Sequence, residues 1–108
     1  MPTIASPASC LSVVMPCFNE ERTITTIIAD VLDSPLVGEL IVVDDGSSDG
    51  TLDQLATISD PRVRILRHHE NQGKGAALRT GFAAATLPFV IVQDADLEYD
   101  PAEYPLVV

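Results

Sequence analysis

The chain is expected to be an α/β protein built on a parallel sheet with helices on both faces. Three observations carry this. Four apolar runs, Leu11–Met15, Glu39–Val43, Val63–Leu66 and Phe89–Gln93, are of strand length and near-continuous rather than alternating, as in strands buried on both sides. Segments of helical character separate them, giving the order β-α-β-α-β-α-β-α. Polar, turn-forming residues follow the runs, where strand-to-helix loops belong.

Each element has its own justification. Leu11–Met15 reads as a strand halted by Pro16, with Asn19 as N-cap of the next helix and Glu20 and Glu21 in a first turn that favours acids. Ile24, Ile27, Ile28, Val31 and Leu32 then recur at i, i+3, i+4, i+7 and i+8, one apolar helix stripe that Pro35 ends. Glu39–Val43 is the second strand and runs into Asp44-Asp45-Gly46-Ser47-Ser48-Asp49-Gly50, dense in turn formers. A short helix from Thr51 buries Leu52, Leu55 and Ala56 before Asp60-Pro61, with Asp49 as its N-cap. Val63–Leu66 is the third strand. An Ala-rich helix from Gly75 to Thr86 is expected to bury Ala77, Leu78, Gly81, Phe82 and Ala85. Phe89–Gln93 is the fourth strand, and Asp100-Pro101-Ala102-Glu103 has the order of a capping-box helix start.

The 108 residues suffice for one core and no more. With 46% hydrophobic and 20% charged residues the chain is too apolar for disorder, and a net charge of −10 argues against a nucleic-acid or anionic-membrane surface. No apolar stretch approaches a membrane span, and Met1–Ser9 lacks the basic and apolar regions of a signal peptide. Cys10 and Cys17 fit no zinc spacing and read as reduced thiols of a cytosolic protein. The acids are segregated. Asp94, Asp96, Glu98, Asp100 and Glu103 form one block and Glu39, Asp44, Asp45, Asp49, Asp53 and Asp60 another, with five of the six bases between them.

Ligands of open parallel sheets bind at the carboxyl ends of the strands, and three of the four ends here carry groups of catalytic type. In Asp94-Ala95-Asp96-Leu97-Glu98 an extended backbone turns alternate carboxylates to one side. Held close, they would repel unless a cation neutralised them, which suits Mg²⁺ or Mn²⁺ completed by water and substrate phosphates. A solvated acidic loop is the alternative. Asp44-Asp45 offers an acceptor for N–H donors on a nucleobase edge, or simply an Asx turn. Asn71-Gln72-Gly73-Lys74-Gly75-Ala76 opens a helix in the manner of a phosphate site, with Lys74 adding charge, or is a tight turn whose Lys pairs with a neighbouring acid. The dinucleotide fingerprint fails at Leu78, and the nucleoside-triphosphate loop fails because Gly75 follows Lys74. His68 and His69 have no partner at ligand spacing and read as surface residues at a strand end. No nucleophilic triad can be assembled.

Pro16-Cys17-Phe18-Asn19-Glu20-Glu21, Val43-Asp44-Asp45-Gly46-Ser47-Ser48-Asp49-Gly50-Thr51, Asn71-Gln72-Gly73-Lys74-Gly75-Ala76-Ala77 and Asp94-Ala95-Asp96 occur in this order. Together they resemble the nucleotide-binding half of family 2 glycosyltransferases of the GT-A fold. The stretch Asp94–Pro101 looks most like the branch of dolichyl- and polyprenyl-phosphate mannose or glucose synthases. The resemblance implies a GDP- or UDP-hexose donor, a divalent metal, inversion at the sugar carbon and a lipid-phosphate acceptor, at the cytoplasmic face of a membrane. Carried over, Pro16, Phe18 and Glu20 would line the nucleoside pocket, Val43 and Asp45 would hold the base, and Lys74, Asp94 and Ala95 would complete the nucleotide-sugar contacts. Asp94, Asp96 and Glu98 would hold the metal, with Asp96 the catalytic group. Cys17 and Phe18 depart from many relatives, which have a small residue and Tyr there.

On this reading residues 1–10 are a flexible leader and 11–108 the donor-binding half of a catalytic domain, cut inside its fourth helix. The alternative is a module that binds nucleotide-sugar and metal without turnover. A phosphoacceptor receiver domain fits poorly, because the third strand ends in Arg67-His68-His69 where that fold needs an Asp.

Overall fold

The computed structural model describes residues 10–95. In chain order the elements are β1 (Leu11–Cys17), α1 (Ile24–Leu32), β2 (Val37–Asp45), α2 (Thr51–Leu55), β3 (Val63–His68), α3 (Lys74–Ala84) and β4 (Phe89–Val92). The four strands form one parallel sheet in the order β3-β2-β1-β4. The leader to Ser9, Asp96, Glu98 and the helix start at Asp100–Glu103 lie outside the described residues.

Connection handedness explains the layers. The chain steps from β1 to β2 to β3 in one direction, so right-handed crossovers put α1 and α2 on one face. It then steps back across the sheet to β4, and α3 falls on the other face. The strand order thus reverses between β1 and β4, which opens a crevice at their carboxyl ends.

The core follows strand parity. Val13, Met15, Leu40 and Val42 meet Ile24, Ile27, Ile28 and Val31 of α1 and Leu55 of α2. Each such aliphatic side chain contributes about 1.5–3 kcal/mol by leaving water. On the other face Ile41 and Val43 pack against Ala77 of α3. There Gly81 approaches the sheet closely, since a Cβ on it would stand 2.3 Å from Val14 Cγ1. The helix reaches the sheet because that position has no side chain.

Several boundaries differ from expectation, each for a physical reason. Pro16 lies inside β1 rather than ending it. It shares its parity with Val14, whose carbonyl accepts from Gln93 on the β4 side, and β4 pairs only with Leu11–Val14. The missing N–H therefore costs no ladder bond. Helix α1 starts at Ile24, and Asn19 does not cap it; Asn19 adopts φ 54° and serves the neighbouring loop instead. Phe82, expected to be buried, is 47% exposed, because α3 covers β1 and β2 and leaves β4 bare. Val90 and Val92, on the same face of β4, are exposed for the same reason; Phe89, also exposed, lies on the other face with Ile91.

Candidate active site at the carboxyl edge of the sheet

A cleft of about 470 Å³ occupies the crevice, lined by Pro16, Cys17, Phe18, Glu20, Asp45, Asn71, Gly73, Lys74, Ala77, Asp94 and Ala95. Seven of the expected site residues meet there: Pro16, Phe18, Glu20, Asp45, Lys74, Asp94 and Ala95. Val43 does not. It is fully buried under α3 with Ile41 and Ala77, because it shares Asp45's face of the sheet two residues deeper. Its side chain lies in the core and does not line the cleft.

The paired aspartates divide by the same alternation. Asp44 turns toward the α1 face, where it is fully buried and accepts from the Ser47 N–H at 3.2 Å, the Ser47 hydroxyl and the Cys17 thiol at 3.7 Å. It anchors the turn after β2 through Ser47, three residues on. Burial, reinforced by the Asp44 charge, pushes the Cys17 thiol well above its usual range, so Cys17 lines the cleft as an unreactive thiol.

Asp45 turns the other way. Its Oδ1 accepts from His68 Nδ1 at 2.8 Å and the Gln72 N–H at 2.9 Å, and its Oδ2 accepts from the Gly73 N–H at 2.9 Å. Burial alone would raise its pKa. The hydrogen bonds from Gln72, His68 and Gly73 outweigh that and hold the carboxyl below the usual range. His68, expected to be an exposed strand-end residue, is instead largely enclosed, with Nε2 2.9 Å from Thr80 Oγ1 of α3. Strand register explains the difference, since Asp45 pairs with His68 across β2 and β3. Two-residue spacing from inward-facing Leu66 was the available signal.

The loops around the cleft are stitched together. Asn19 Oδ1 accepts the N–H groups of Ser48 and Asp49 at 2.8 and 3.3 Å, and its own N–H donates to Ser47 Oγ at 2.9 Å. The Glu20 N–H donates to Thr51 Oγ1, and the Thr23 hydroxyl donates to the Ala95 carbonyl at 2.8 Å. Asp49 accepts from the Thr51 N–H at 2.9 Å, two residues on, as an Asx turn ahead of α2; the N-cap is Gly50, not Asp49 as expected. Gly46 has φ 76°, and a Cβ there would lie 2.5 Å from the Asn71 backbone nitrogen, so only glycine lets the loop after β2 touch the loop before α3.

Across the cleft, Lys74 Nζ lies 2.6 Å from Asp94 Oδ1. Among the described residues no group of three His, Cys, Asp or Glu is placed to hold a metal ion. Asp94 supplies one hard-oxygen ligand at the cleft, which fits a Mg²⁺ or Mn²⁺ ion that takes one or two carboxylates and draws its other ligands from phosphates and water. No helix of the described residues is long and apolar enough to cross a membrane.

Residues 12–108 match the family described as glycosyl transferase family 2. The chain is 37% identical over 105 residues to an undecaprenyl-phosphate 4-deoxy-4-formamido-L-arabinose transferase of Proteus mirabilis, covering 91% of this chain and 32% of that protein. It superposes with a TM-score of 0.73 and 33% identity on glucosyl-3-phosphoglycerate synthase of Mycobacterium tuberculosis in complex with Mn²⁺, UDP and phosphoglyceric acid, covering 90% of this chain and 37% of that one. A mannosyltransferase of Pyrobaculum calidifontis in complex with GDP-mannose and Mn²⁺ matches with a TM-score of 0.72 and 30% identity over 81% of this chain and 27% of its own. The fold is that of GT-A glycosyltransferases. The chain belongs to glycosyl transferase family 2. It spans about a third of the length of the curated relatives it matches.

Proposed function

We propose that the protein is a metal-dependent, inverting glycosyltransferase that moves a sugar from a nucleoside-diphosphate donor to a polyprenyl phosphate. The observation that carries this is the convergence of Asp45, Lys74 and Asp94 with Phe18 and Pro16 on one cleft at the reversal point of the sheet. The names of the relatives support the donor and acceptor classes.

Each residue has a task in this reading. Phe18, 43% exposed at the rim, offers a ring face to the nucleobase. Asp45 accepts an N–H from the base edge. Lys74 and the α3 N-terminus attract the diphosphate. Asp94 would hold the divalent ion, joined by Asp96 and Glu98 as the sequence suggests. Bound there, the ion would neutralise charge on the diphosphate as it leaves. In the reaction an acceptor phosphate oxygen attacks the sugar C1 from the face opposite the donor. The C1–O bond to the β-phosphate breaks, and its electron pair departs on the nucleoside diphosphate. An acceptor that is already an anion needs no proton removed, so this chemistry asks for no general base.

Calorimetry with UDP-glucose and GDP-mannose, with Mn²⁺, Mg²⁺ or EDTA, tests the donor side. Transfer of radiolabelled sugar to a short polyprenyl phosphate tests the acceptor side. Donor binding that needs metal, together with labelled lipid product, is the expected result. Metal-independent binding overturns the metal assignment, and binding without any transfer by the whole protein favours a binding-only module.

A further inference from the structure

An ionised carboxylate has about four acceptor positions, and among the described residues three on Asp45 are filled. Oδ1 takes His68 Nδ1 and the Gln72 N–H, while Oδ2 takes only the Gly73 N–H. The open position is therefore on Oδ2, and Asp45 lines the cleft. Because the Asp45 carboxylate can only accept, His68 Nδ1 must carry a proton, and in the neutral ring Nε2 accepts from the Thr80 hydroxyl.

The three donors are not equivalent. Gln72 and Gly73 stand side by side on one loop, so a carboxylate held by them alone would move with that loop. His68 is the last residue of β3, in register with Asp45, and its far nitrogen is tied to α3 through Thr80. It couples the carboxylate to the sheet and helix. His68 is not among the residues that line the cleft, so whatever it does for a ligand it does through Asp45.

We propose that His68 is the positioning residue for nucleobase selection, committing Oδ1 to the protein so that Oδ2 presents its free position to the cleft. The group that position suits is an imide-type N–H, as on uracil N3 or guanine N1. Cytosine places an unprotonated N3 there, lone pair against lone pair, and is rejected. The inference rests on the reading of Asp45 as the base acceptor, and the test separates the two.

Dissociation constants are measured by calorimetry in Mn²⁺ for UDP, GDP, CDP and inorganic pyrophosphate, on the wild-type protein and the variants His68→Leu, His68→Asn, Thr80→Val and Asp45→Asn. Thermal melts check folding. His68→Leu should lose about tenfold in affinity for whichever of UDP and GDP binds best, as expected for a lost charge-assisted contact, and should lose discrimination against CDP. Pyrophosphate, which has no base, should bind unchanged. His68→Asn, whose amide can place a donor near the former Nδ1, should recover most of the discrimination, and Thr80→Val should give a smaller loss of the same kind. An equal loss for pyrophosphate would make His68 merely structural and overturn the proposal. So would an intact UDP-to-CDP ratio in His68→Leu alongside a collapsed one in Asp45→Asn. An unchanged ratio in Asp45→Asn would instead overturn the reading of Asp45 on which the proposal rests.

Discussion

The Lys74 ammonium and the Asp94 carboxylate face each other 2.6 Å apart across the mouth of the cleft, Lys74 from the first turn of α3 and Asp94 from just beyond β4. The pair joins the two groups best suited to a donor's diphosphate and its counter-ion. Lys74 is 60% exposed in its side chain, so water screens the attraction and the pair is easily opened. A cation that holds a carboxylate in place before a ligand arrives can turn to the phosphates once it has.

Lys74→Met is accordingly expected to weaken binding of a nucleoside diphosphate with Mn²⁺ by about tenfold, while the melting temperature stays close to wild type, since an exposed pair contributes under about 1 kcal/mol. Calorimetry beside a thermal melt checks both halves. A large fall in melting temperature would mean that the pair is structural.

Asp44 should behave in the opposite sense. Asp44→Ala leaves the Ser47 N–H and hydroxyl without their acceptor, and should cost about 1–3 kcal/mol in urea unfolding. Because the loop after β2 carries Gly46, its loosening should also reach the cleft. Stability equal to wild type would show that water replaces the carboxylate.

Gly46→Ala is expected to be destabilising by more than about 1 kcal/mol, from a left-handed backbone and a Cβ driven into Glu70 and Asn71. Nucleotide affinity should fall with it, since Gln72 and Gly73, which hold Asp45, follow directly. Denaturant titration and calorimetry on the same preparation read out the two effects.

Acid should weaken the fold through hydrogen-bonded carboxylates, Asp45 and Glu39 being the two that join separate elements. Asp45 and Glu39 both sit below their ordinary values: burial opposes this in each, but is outweighed by hydrogen bonds, from Gln72, His68 and Gly73 in the first and from Thr86 and Ser12 in the second, which Arg64 also assists. A carboxyl with a lower pKa folded than unfolded stabilises above its unfolded value, near 4, and loses that contribution as pH falls through the folded one. The melting temperature should be flat from about pH 7 to 5 and fall below about pH 4. Asp45→Asn should shallow that fall, and an identical acid profile in the variant would remove Asp45 from the explanation.

Legibility in sequence followed the range of the interactions. The i, i+3, i+4 stripe of α1 and the apolar runs of the strands are local patterns, and each predicted element that falls within the described residues is present within a few residues of its expected bounds. The meeting of Asp45 and Asp94 follows from where strands end, and that of Lys74 from the helix it opens. Facts that depend on register or on layer coverage were hidden. Asn19 looks like a helix cap until its partners prove to be Ser47, Ser48 and Asp49. His68 looks exposed until β3 is laid beside β2. The resemblance makes Val43 a base contact, and parity puts its side chain in the core. Phe82 belonged to a plausible apolar stripe, but α3 lies over β1 and β2, and the side chain points past them.

Gly81 follows Thr80 on α3, and with no side chain of its own it lets the helix settle onto Val14. That settling height is what brings the Thr80 hydroxyl within 2.9 Å of His68, and through His68 it reaches the Asp45 carboxylate. The dimensions of the ligand cleft are therefore inherited in part from the spacing between two structural layers. A residue that lines no part of the cleft and could bind nothing acts as the gauge for how its acceptor is aimed.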